Sequence, residues 1–469
     1  MSLLGPKSPG GHPSRVRALP GASACALALS LLAGSLEAQV GSPAGPVPPR
    51  RLAARRAALL ERLGTGVAIL RSAVERSIEG DYPQDSDYRE DNDFFYLTGI
   101  EAPGAWLVLV AREDGPDEVI LYLPPRDTLA ERWTGPKLGP GPEATRLTGI
   151  EDVRPAEQAE SEIRALLRPA DSPARRGALY IERGREEAQS GFFRDLVFTP
   201  SSTRPLRVDD LEYQVAQLRL IKDEDEIARM RRAVAITVEG HRAAWRAARP
   251  GVHEYELEAA LEGTFRRLGA ERVGYPSIVG SGINSTILHY DKNRRKTEPG
   301  DLVLIDAGAE FGYHSADVTR TFPVSGKFTP RQRAIYDLVL AAQRAAIDSV
   351  RPGITVARLN QIAREYLRTH SGDLCGGASC DRYMPHGLSH WLGMDVHDVG
   401  DYGTPLAPGM ILTIEPGIYL PAERFGVRIE DVILVTERGA EVLSAALPRE
   451  AAEVERAMGA APAPARTAR

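Results

Sequence analysis

The chain of 469 residues has only three cysteines, no large excess of one charge and no long apolar run in its interior. The cysteine spacing is not that of a structural zinc motif. Its 58 basic and 64 acidic residues give a formal net charge of −6 and are interspersed, which argues against nucleic acid as the main partner. Beyond the N-terminus, no apolar segment reaches roughly eighteen residues, the minimum for a membrane-spanning helix. We therefore expect neither a nucleic-acid-binding protein nor a membrane protein.

The composition, with 43% hydrophobic and 26% charged residues, is typical of a soluble globular protein, and the length favours two or three domains. Residues 51–218 contain short apolar runs and a helical segment, which predict an α/β domain. Residues 39–50 are rich in Pro and Gly and predict a flexible leader. Residues 222–457 predict a second, α+β domain, and the Ala/Pro-rich residues 458–469 predict a disordered tail.

The N-terminus has the pattern of an export signal. Lys7, Arg15 and Arg17 precede an apolar stretch, residues 22–36, that is too short to span a bilayer and is followed by small residues. We therefore predict a cleaved signal peptide at residues 1–38 and an exported product, periplasmic or secreted. A short buried helix is the alternative.

Two cysteines remain after the predicted cleavage, because Cys25 lies within the signal. Cys375 and Cys380 flank four small residues. A local disulfide can form in an oxidising compartment, but the sequence does not give the Cα separation that bridging requires. Both a disulfide and two free thiols stay open.

A pattern near the C-terminus occurs twice. Residues 299–308 align without a gap on residues 408–417, and each copy is a turn, an apolar run and an acid followed closely by glycine. The acids are Asp306 and Glu415. A buried carboxylate is costly unless a cation or hydrogen-bond donors compensate its charge. Two such acids in duplicated positions suggest a shared cation, held between two α+β halves that close around one pocket.

Each half then adds a second acid after its strand, Asp317 in the first and Glu430 in the second. Four converging carboxylates would repel one another, and a divalent cation resolves this conflict. Oxygen-rich ligands favour a hard or borderline ion such as Mn²⁺ over structural zinc. Histidine supplies the remaining ligand type, because His386, His390 and His397 lie within one short segment.

At these residues the chain resembles the pita-bread metallopeptidases, and within them the Xaa-Pro aminopeptidases. The resemblance covers about residues 51–450 and implies a pita-bread catalytic domain with an internal pseudo-twofold, preceded by a smaller creatinase-like α/β domain. The motifs that carry it are Ile305-Asp306-Ala307-Gly308, Asp317-Val318-Thr319-Arg320-Thr321-Phe322, the segment 386–397, Ile414-Glu415-Pro416-Gly417 and Arg428-Ile429-Glu430-Asp431.

The resemblance implies metal-assisted hydrolysis of peptides with proline in second position. It implies two divalent ions, Mn²⁺ first and Co²⁺ or Zn²⁺ as options, bridged by Asp306 and Glu430. The full set of implied ligands is Asp306, Asp317, His390, Glu415 and Glu430. Glu415 would also accept the proton of the water that attacks the peptide bond. By the same resemblance a homo-oligomer, a dimer or a tetramer, is expected.

Further roles also come from the resemblance. His289, His386 and His397 match positions that contact the substrate backbone and the developing oxyanion. Arg428 and Tyr419 match residues that orient the carboxylates, and Tyr419 is also a weaker candidate for substrate contact. In the N-terminal domain, Asp93 could approach the substrate amino group and Trp133 could pack on the proline ring.

Three alternative functions compare with an Xaa-Pro aminopeptidase as follows. A prolidase would share the metal ligands and cleave only dipeptides. Methionine aminopeptidase lacks so large an N-terminal domain. A non-peptidase binding module, or a metal-free creatinase-like hydrolase, would be expected to have lost ligands, and none is missing here.

Overall fold

The computed structural model of the chain describes residues 44–75, 88–169, 171–183, 191–193, 195 and 206–459. The predicted signal peptide, including Cys25, lies outside the described residues. Among the residues that the structure describes, no helix is long and apolar enough to cross a membrane.

The N-terminal domain is built on a six-stranded mixed sheet in the order β4-β3-β2-β1-β5-β6. Its strands are β1 (Gly66–Arg71), β2 (Trp106–Ala111), β3 (Glu118–Leu123), β4 (Asp152–Pro155), β5 (Ala178–Ile181) and β6 (Val208–Asp210). Its helices are α1 (Pro49–Leu63), α2 (Asn92–Thr98), α3 (Glu131–Thr134), α4 (Pro142–Thr148), α5 (Ala159–Leu167), α6 (Pro173–Arg176) and α7 (Leu211–Arg219).

Both faces of this sheet are covered, which explains why its strands are continuous apolar runs. Ala68 and Leu70 of β1 pack in one core with Leu59 of α1. Val67 and Ile69, on the opposite face, pack in a second core with helix α5.

Order extends further than the sequence predicts at both ends of the folded region. Helix α1 begins at Pro49 and Val47 is only 4% exposed, so the predicted leader is wrong over its last residues; proline fits the first helical position because its fixed φ suits the helix. Met458 is 7% exposed and lies in α12 (Ala451–Gly459), so the predicted tail begins too early. Residues 460–469 lie outside the described part of the chain.

The C-terminal domain begins with α8 (Glu224–Ala247), which follows the domain boundary predicted at residues 218–222. Its first half continues with α9 (Glu254–Arg267), β7 (Arg272–Val273), β8 (Ile278–Ser281), β9 (Leu302–Ala307), β10 (Ala309–Phe311), β11 (His314–Ser315) and β12 (Val318–Pro323). Strands pair in the orders β12-β9-β8 and β11-β10-β7.

The second half repeats this plan. Helix α10 (Pro330–Ile347) opens with a capping box formed by Thr329 and Gln332, as the Thr-Pro sequence predicts for a helix start. It is followed by α11 (Val356–His370), β13 (Ile411–Ile414), β14 (Gly417–Leu420), β15 (Phe425–Arg428), β16 (Asp431–Thr436) and β17 (Gly439–Val442). Strands pair in the orders β13-β16-β17 and β14-β15.

The turn between β10 and β11 joins the two domains. Gly312 and Tyr313 both have positive φ, 58° and 69°, which makes a tight turn at the tip of this hairpin. The Tyr313 ring stacks on Phe95 of α2 with 3.7 Å between ring centroids, and its hydroxyl donates to Oε1 of Glu101 at 2.5 Å. The strain of a left-handed tyrosine is therefore offset by contacts with the N-terminal domain.

Candidate metal centre

The two acids of the first half meet as predicted, although they are not directly opposite one another. Asp306 pairs with Thr319 across β9 and β12, and Asp317 lies just before β12. The Tyr275 hydroxyl lies 2.5 Å from Oδ1 of each carboxyl group. Gly308 allows the chain to cross here, because a Cβ at this position would lie 1.7 Å from the Ala316 carbonyl oxygen.

The two acids of the second half lie at the ends of a paired strand. Ile414 of β13 pairs with Asp431 of β16, so Glu415 and Glu430 lie one position beyond the ladder. Thr319 of the first half donates a hydrogen bond to Oε2 of Glu430 at 2.7 Å. This contact joins the acids of the two halves in one site.

His390 reaches the acids because its segment runs beside β13. The Glu415 amide donates to the Leu388 carbonyl at 2.9 Å, and the Thr413 amide donates to the His390 carbonyl at 3.0 Å. Nδ1 of His390 lies 3.0 Å from the Trp391 carbonyl oxygen. That acceptor assigns the proton to Nδ1 and leaves Nε2 as a lone-pair donor for a metal ion.

The distances around His390 suit a shared cation. Nε2 lies 3.4 Å from Oδ2 of Asp317 and 3.5 Å from Oε1 of Glu415. Ligand atoms of Asp317, His390 and Glu430 all lie within 4.8 Å of one another. Atoms bound to one ion at about 2.1 Å are about 3 Å or more apart, so this spacing fits a metal.

Burial and mutual repulsion disfavour the charged forms of three acids. Burial, with the Asp306 charge adding to it, raises the pKa of Asp317 well above its usual range. Burial and the charge of Asp317 likewise raise the pKa of Glu430. Burial and the charge of Glu430 raise the pKa of Glu415 to about 8. A divalent cation would reverse these shifts, and the donor set therefore fits one.

Asp306 differs because it has its own cation. Burial opposes its ionisation, but the Arg428 guanidinium, 2.5 Å from Oδ2, and the Tyr275 hydroxyl together hold its pKa below the usual range. Since Tyr275 has one hydroxyl proton, it can donate to the Asp306 carboxylate while it accepts from protonated Asp317. Arg428 also bonds the Thr319 hydroxyl at 3.2 Å and so holds this part of the site in place, as the sequence resemblance implies.

The acids open into a cavity of about 460 Å³ that His289, His386 and His397 also line. His289 and His397 are exposed, and within the described residues neither has a hydrogen-bond partner. His386 is different, because Nδ1 lies 2.7 Å from the Gly387 carbonyl oxygen and Nε2 lies 2.8 Å from the Tyr419 hydroxyl. His289 and His397 therefore have ring nitrogens without hydrogen-bond partners among the described residues, whereas both ring nitrogens of His386 have partners.

Tyr419 links His386 to the acid cluster. Its hydroxyl accepts from Nη1 of Arg428 at 2.9 Å and is left to donate to Nε2 of His386. Burial and the Arg428 charge lower the pKa of His386 to about 4, so the ring is neutral near pH 7 and can accept this bond. Tyr419 is 5% exposed, which fits orientation of the site better than contact with substrate.

The two candidates in the N-terminal domain lie away from the cavity. Asp93 is 6% exposed and accepts from Nη1 of Arg219 at 2.6 Å. It lines a separate cavity with Arg219 and Asp395, so the structure corrects the expected approach of Asp93 to a substrate amino group: its charge is already paired. Trp133 is 91% exposed and does not line the cavity of this chain.

Sequence reasoning missed three residues that contact the acids. Tyr275 follows no motif, and nothing in a single sequence marks it. Thr319 and Thr413 could have been found, because strand alternation places them on the same faces as Asp317 and Glu415. Thr413 donates a long hydrogen bond, 3.4 Å, to Oε1 of Glu415.

Both domains of the chain match known protein families. The profile of metallopeptidase family M24 matches residues 228–437, and that of the aminopeptidase P N-terminal domain matches residues 52–174. The Xaa-Pro aminopeptidase of Escherichia coli (strain K12) is 38% identical over 438 residues, which cover 87% of this chain and 97% of that protein. The chain belongs to the aminopeptidase P group of metallopeptidase family M24.

Solved structures of this group share the fold. Proline aminopeptidase P II from Yersinia pestis has a TM-score of 0.80 and 36% identity, and the match covers 88% of this chain and all of that one. Escherichia coli aminopeptidase P with the inhibitor Pro-Leu has a TM-score of 0.80 and 35% identity, covering 89% and 99%. The predicted α+β pita-bread fold with its smaller N-terminal domain is confirmed.

Proposed function

We propose that this protein is a dinuclear metal-dependent aminopeptidase that releases the N-terminal residue from peptides with proline in second position. The observation that carries the proposal is the convergence of four carboxylates and His390 on one cavity, where burial and mutual repulsion raise the pKa of three of the acids. Relatives named Xaa-Pro aminopeptidase and a similar structure with the inhibitor Pro-Leu support the choice of substrate.

The ions would be held by side chains from both halves. Asp306, Asp317, His390, Glu415 and Glu430 would hold two divalent ions. Mn²⁺ is the proposed native metal because four of the five ligands offer oxygen. When bound, such ions would polarise the scissile carbonyl and lower the pKa of a water molecule enough to supply hydroxide near neutral pH.

Glu415 moves the proton. Its carboxylate lies beside His390 at the edge of the cavity, where it can take the proton of the attacking water and pass it to the leaving nitrogen. This second transfer matters for an Xaa-Pro bond because the proline nitrogen has no proton of its own and must gain one to leave as an amine.

His289 and His397 stabilise the charge that develops on the carbonyl oxygen. Both rings line the cavity and neither is engaged by the described protein, so their N–H groups are available to substrate. Preorganised donors of this kind are worth most where the oxyanion forms. His386 acts differently, because its hydrogen bond to Tyr419 places it as part of the support for the acids.

Apolar side chains complete the cavity and suit a proline ring. Pro276, Ile278, Leu288 and Val396 lie among its lining residues. They offer contact area but no hydrogen-bonding requirement, which fits a residue that lacks an N–H.

The test is hydrolysis by metal-stripped protein to which each divalent ion is restored in turn. We expect cleavage of an Xaa-Pro-Yaa tripeptide, strongest with Mn²⁺, and little cleavage of the matched Xaa-Ala-Yaa peptide. Efficient cleavage of Xaa-Pro dipeptides with no cleavage of the tripeptide would instead make the protein a prolidase. No hydrolysis with any ion would contradict the proposal.

We also propose that the protein is exported and forms a homo-oligomer. The bond between Cys375 and Cys380 supports an oxidising compartment, in line with the export pattern of residues 1–38. The exposure of Trp133, 91%, and of Leu129, 67%, supports a subunit contact on the N-terminal domain. N-terminal sequencing of periplasmic material and light scattering of the purified protein test the two points.

A further inference from the structure

Each half of the catalytic domain places one buried polar side chain beneath its pair of acid-bearing strands. His241 lies in α8, ten residues before Gly251, and Gln343 lies in α10, ten residues before Gly353. Each glycine ends an Arg-Pro-Gly sequence, Arg249-Pro250-Gly251 in the first half and Arg351-Pro352-Gly353 in the second, so the duplication extends to this part of both halves. Both side chains are 0% exposed. The two residues are thus equivalent in the repeat, although their chemistry differs.

In the first half, His241 bonds the backbone that follows Asp317. Its Nε2 lies 3.0 Å from the Val318 carbonyl oxygen. Val318 is directly opposite Ala307 in the strand pair, and these two residues follow Asp317 and Asp306. The ring therefore fixes β12 at the point where it pairs with the strand that carries Asp306.

In the second half, Gln343 does the same at the other two acids. Its Nε2 donates to the Ile414 carbonyl at 3.0 Å and to the Ile429 carbonyl at 3.1 Å. These residues directly precede Glu415 and Glu430. A third acceptor, Oδ2 of Asp431, lies at 3.0 Å, so the surrounding acceptors fix which end of the amide is nitrogen.

Neither residue is favoured by its own packing. Nδ1 of His241 and Oε1 of Gln343 are buried without a partner among the described residues. A buried polar atom in this state destabilises the fold, and an apolar side chain would avoid the penalty. What the polar side chains provide is N–H groups that bond the backbone beside the acids, at one carbonyl in the first half and at two in the second.

We propose that His241 and Gln343 are a matched pair of positioning residues, each of which sets the spacing of the two metal-binding carboxylates in its own half. This inference rests on the proposed metal function. Residues that orient metal ligands typically contribute about 10- to 100-fold to metal affinity. The fold itself needs neither side chain, because the strand pairs have their own ladders.

The test is calorimetric titration of Mn²⁺ onto the metal-stripped full-length protein. Gln343→Met keeps the length of the side chain and removes its N–H groups, and we expect Mn²⁺ to bind about tenfold more weakly or worse. The midpoint of thermal unfolding of the metal-free variant should stay near that of the wild type, because the unpaired oxygen is removed as well. Ile335→Val, in the same helix and also 0% exposed, is the matched control and should bind Mn²⁺ as the wild type does.

The exchange variants test the equivalence of the two positions. Gln343→His and His241→Gln each retain an N–H group that can bond a strand carbonyl, so each should bind Mn²⁺ more tightly than the methionine variant at the same position. If Gln343→Met does not fold, His241→Met compared with His241→Gln provides the same comparison in the first half.

Two results would overturn the inference. One is unchanged Mn²⁺ affinity in Gln343→Met, whether or not its unfolding midpoint falls. The other is an equal loss of affinity in Ile335→Val. The variant Glu430→Gln, which alters a proposed ligand, distinguishes these results from failure of the proposed function. If Glu430→Gln binds Mn²⁺ as tightly as the wild type does, the proposed metal site is wrong. The positioning roles of His241 and Gln343 then fail with it.

Discussion

The two halves of the catalytic domain solve one problem with different side chains. The first half presents Asp306 and Asp317, and the second presents Glu415 and Glu430, one methylene longer. One position in the strands differs as well: Asp306 lies within β9, whereas Glu415 lies one residue beyond β13. The second acids match, because Asp317 directly precedes β12 and Glu430 directly precedes β16. The duplication therefore preserves the place of the second acid and varies that of the first.

The same comparison separates duplicated functions from single ones. His289 and His397 are 397 − 289 = 108 positions apart, close to the offset of 415 − 306 = 109 between the two copies, and both rings line the cavity. His390 and His386 belong to the second half alone. In the proposed mechanism, carboxylate ligands and oxyanion donors therefore come from both halves, whereas the nitrogen ligand comes from one.

Replacement of one acid in each half should have the largest effect. We expect Asp306→Asn and Glu430→Gln each to lower kcat/KM by roughly a thousandfold, about 4 kcal/mol of transition-state stabilisation, because each removes one of the proposed metal ligands. Peptide hydrolysis measures the loss, and circular dichroism checks that the fold is kept. Asp337→Asn, at an exposed carboxyl group paired with Arg333, is the control. Near-normal hydrolysis by either site variant would contradict the assignment.

His241 of the first half should contribute to the acid destabilisation of the metal-free protein, whereas Gln343, at the matching position of the second half, should not. Burial, together with the Arg320 charge, lowers the pKa of His241 to about 4, so between pH 6.5 and about 4 the unfolded chain binds a proton that the folded protein does not. Stability should therefore fall by roughly 3 kcal/mol as the pH falls through this window. In His241→Gln this contribution should vanish, because glutamine does not titrate.

Denaturant unfolding at pH 7 and pH 4 measures this contribution. Gln343→Met should keep the acid dependence of the wild type, since the residue that titrates is intact. An unchanged acid dependence in His241→Gln would show that the ring is not held neutral in the folded protein.

The duplicated histidines should lose activity to a similar extent. His289→Ala and His397→Ala each remove a donor to the developing oxyanion, and we expect about a hundredfold fall in kcat with a smaller change in KM. Mn²⁺ affinity should stay at the wild-type value. His253→Ala, a histidine at the start of α9 and outside the cavity, controls for nonspecific effects. A loss confined to KM would instead make these residues simple binding contacts.

The smallest expected effect concerns Tyr275, whose hydroxyl contacts both acids of the first half. Tyr275→Phe removes the hydroxyl that lies 2.5 Å from both acids of the first half. We expect Mn²⁺ affinity to fall about tenfold. The unfolding midpoint of the metal-loaded protein should fall with it, because the more weakly bound metal stabilises the folded state less. Tyr213→Phe, at a ring that is 55% exposed, is the matched control. Equal Mn²⁺ affinity in both variants would remove Tyr275 from the site.

The acids could be predicted because an internal duplication is visible in a single sequence. Asp306 and Glu415 occupy matching positions in the two copies, so no comparison with other proteins is needed to find them. A buried carboxylate needs a cation or hydrogen-bond donors at each of these positions. Strand alternation could also have identified Thr319. Residues such as Tyr275 could not be found, because a tyrosine that reaches the site from an irregular segment obeys no local period.

Two predictions from the sequence, the position of Asp93 and the extent of the flexible leader, fail because they depend on contacts between distant segments. Asp93 was expected near the substrate, yet its partner is Arg219, which lies 126 positions further along the chain. Neither local propensity nor periodicity reports such a pair. The flexible leader was extended too far because composition describes Pro and Gly content and not the core into which Val47 packs.

The most direct measurement is anomalous X-ray diffraction from crystals of the mature protein grown with Mn²⁺. We expect two manganese peaks in each chain, both among the carboxylates of Asp306, Asp317, Glu415 and Glu430, with Nε2 of His390 as the nitrogen ligand. Manganese bound elsewhere, or these side chains turned away from one another, would contradict the assignment of this site as a dinuclear metal centre.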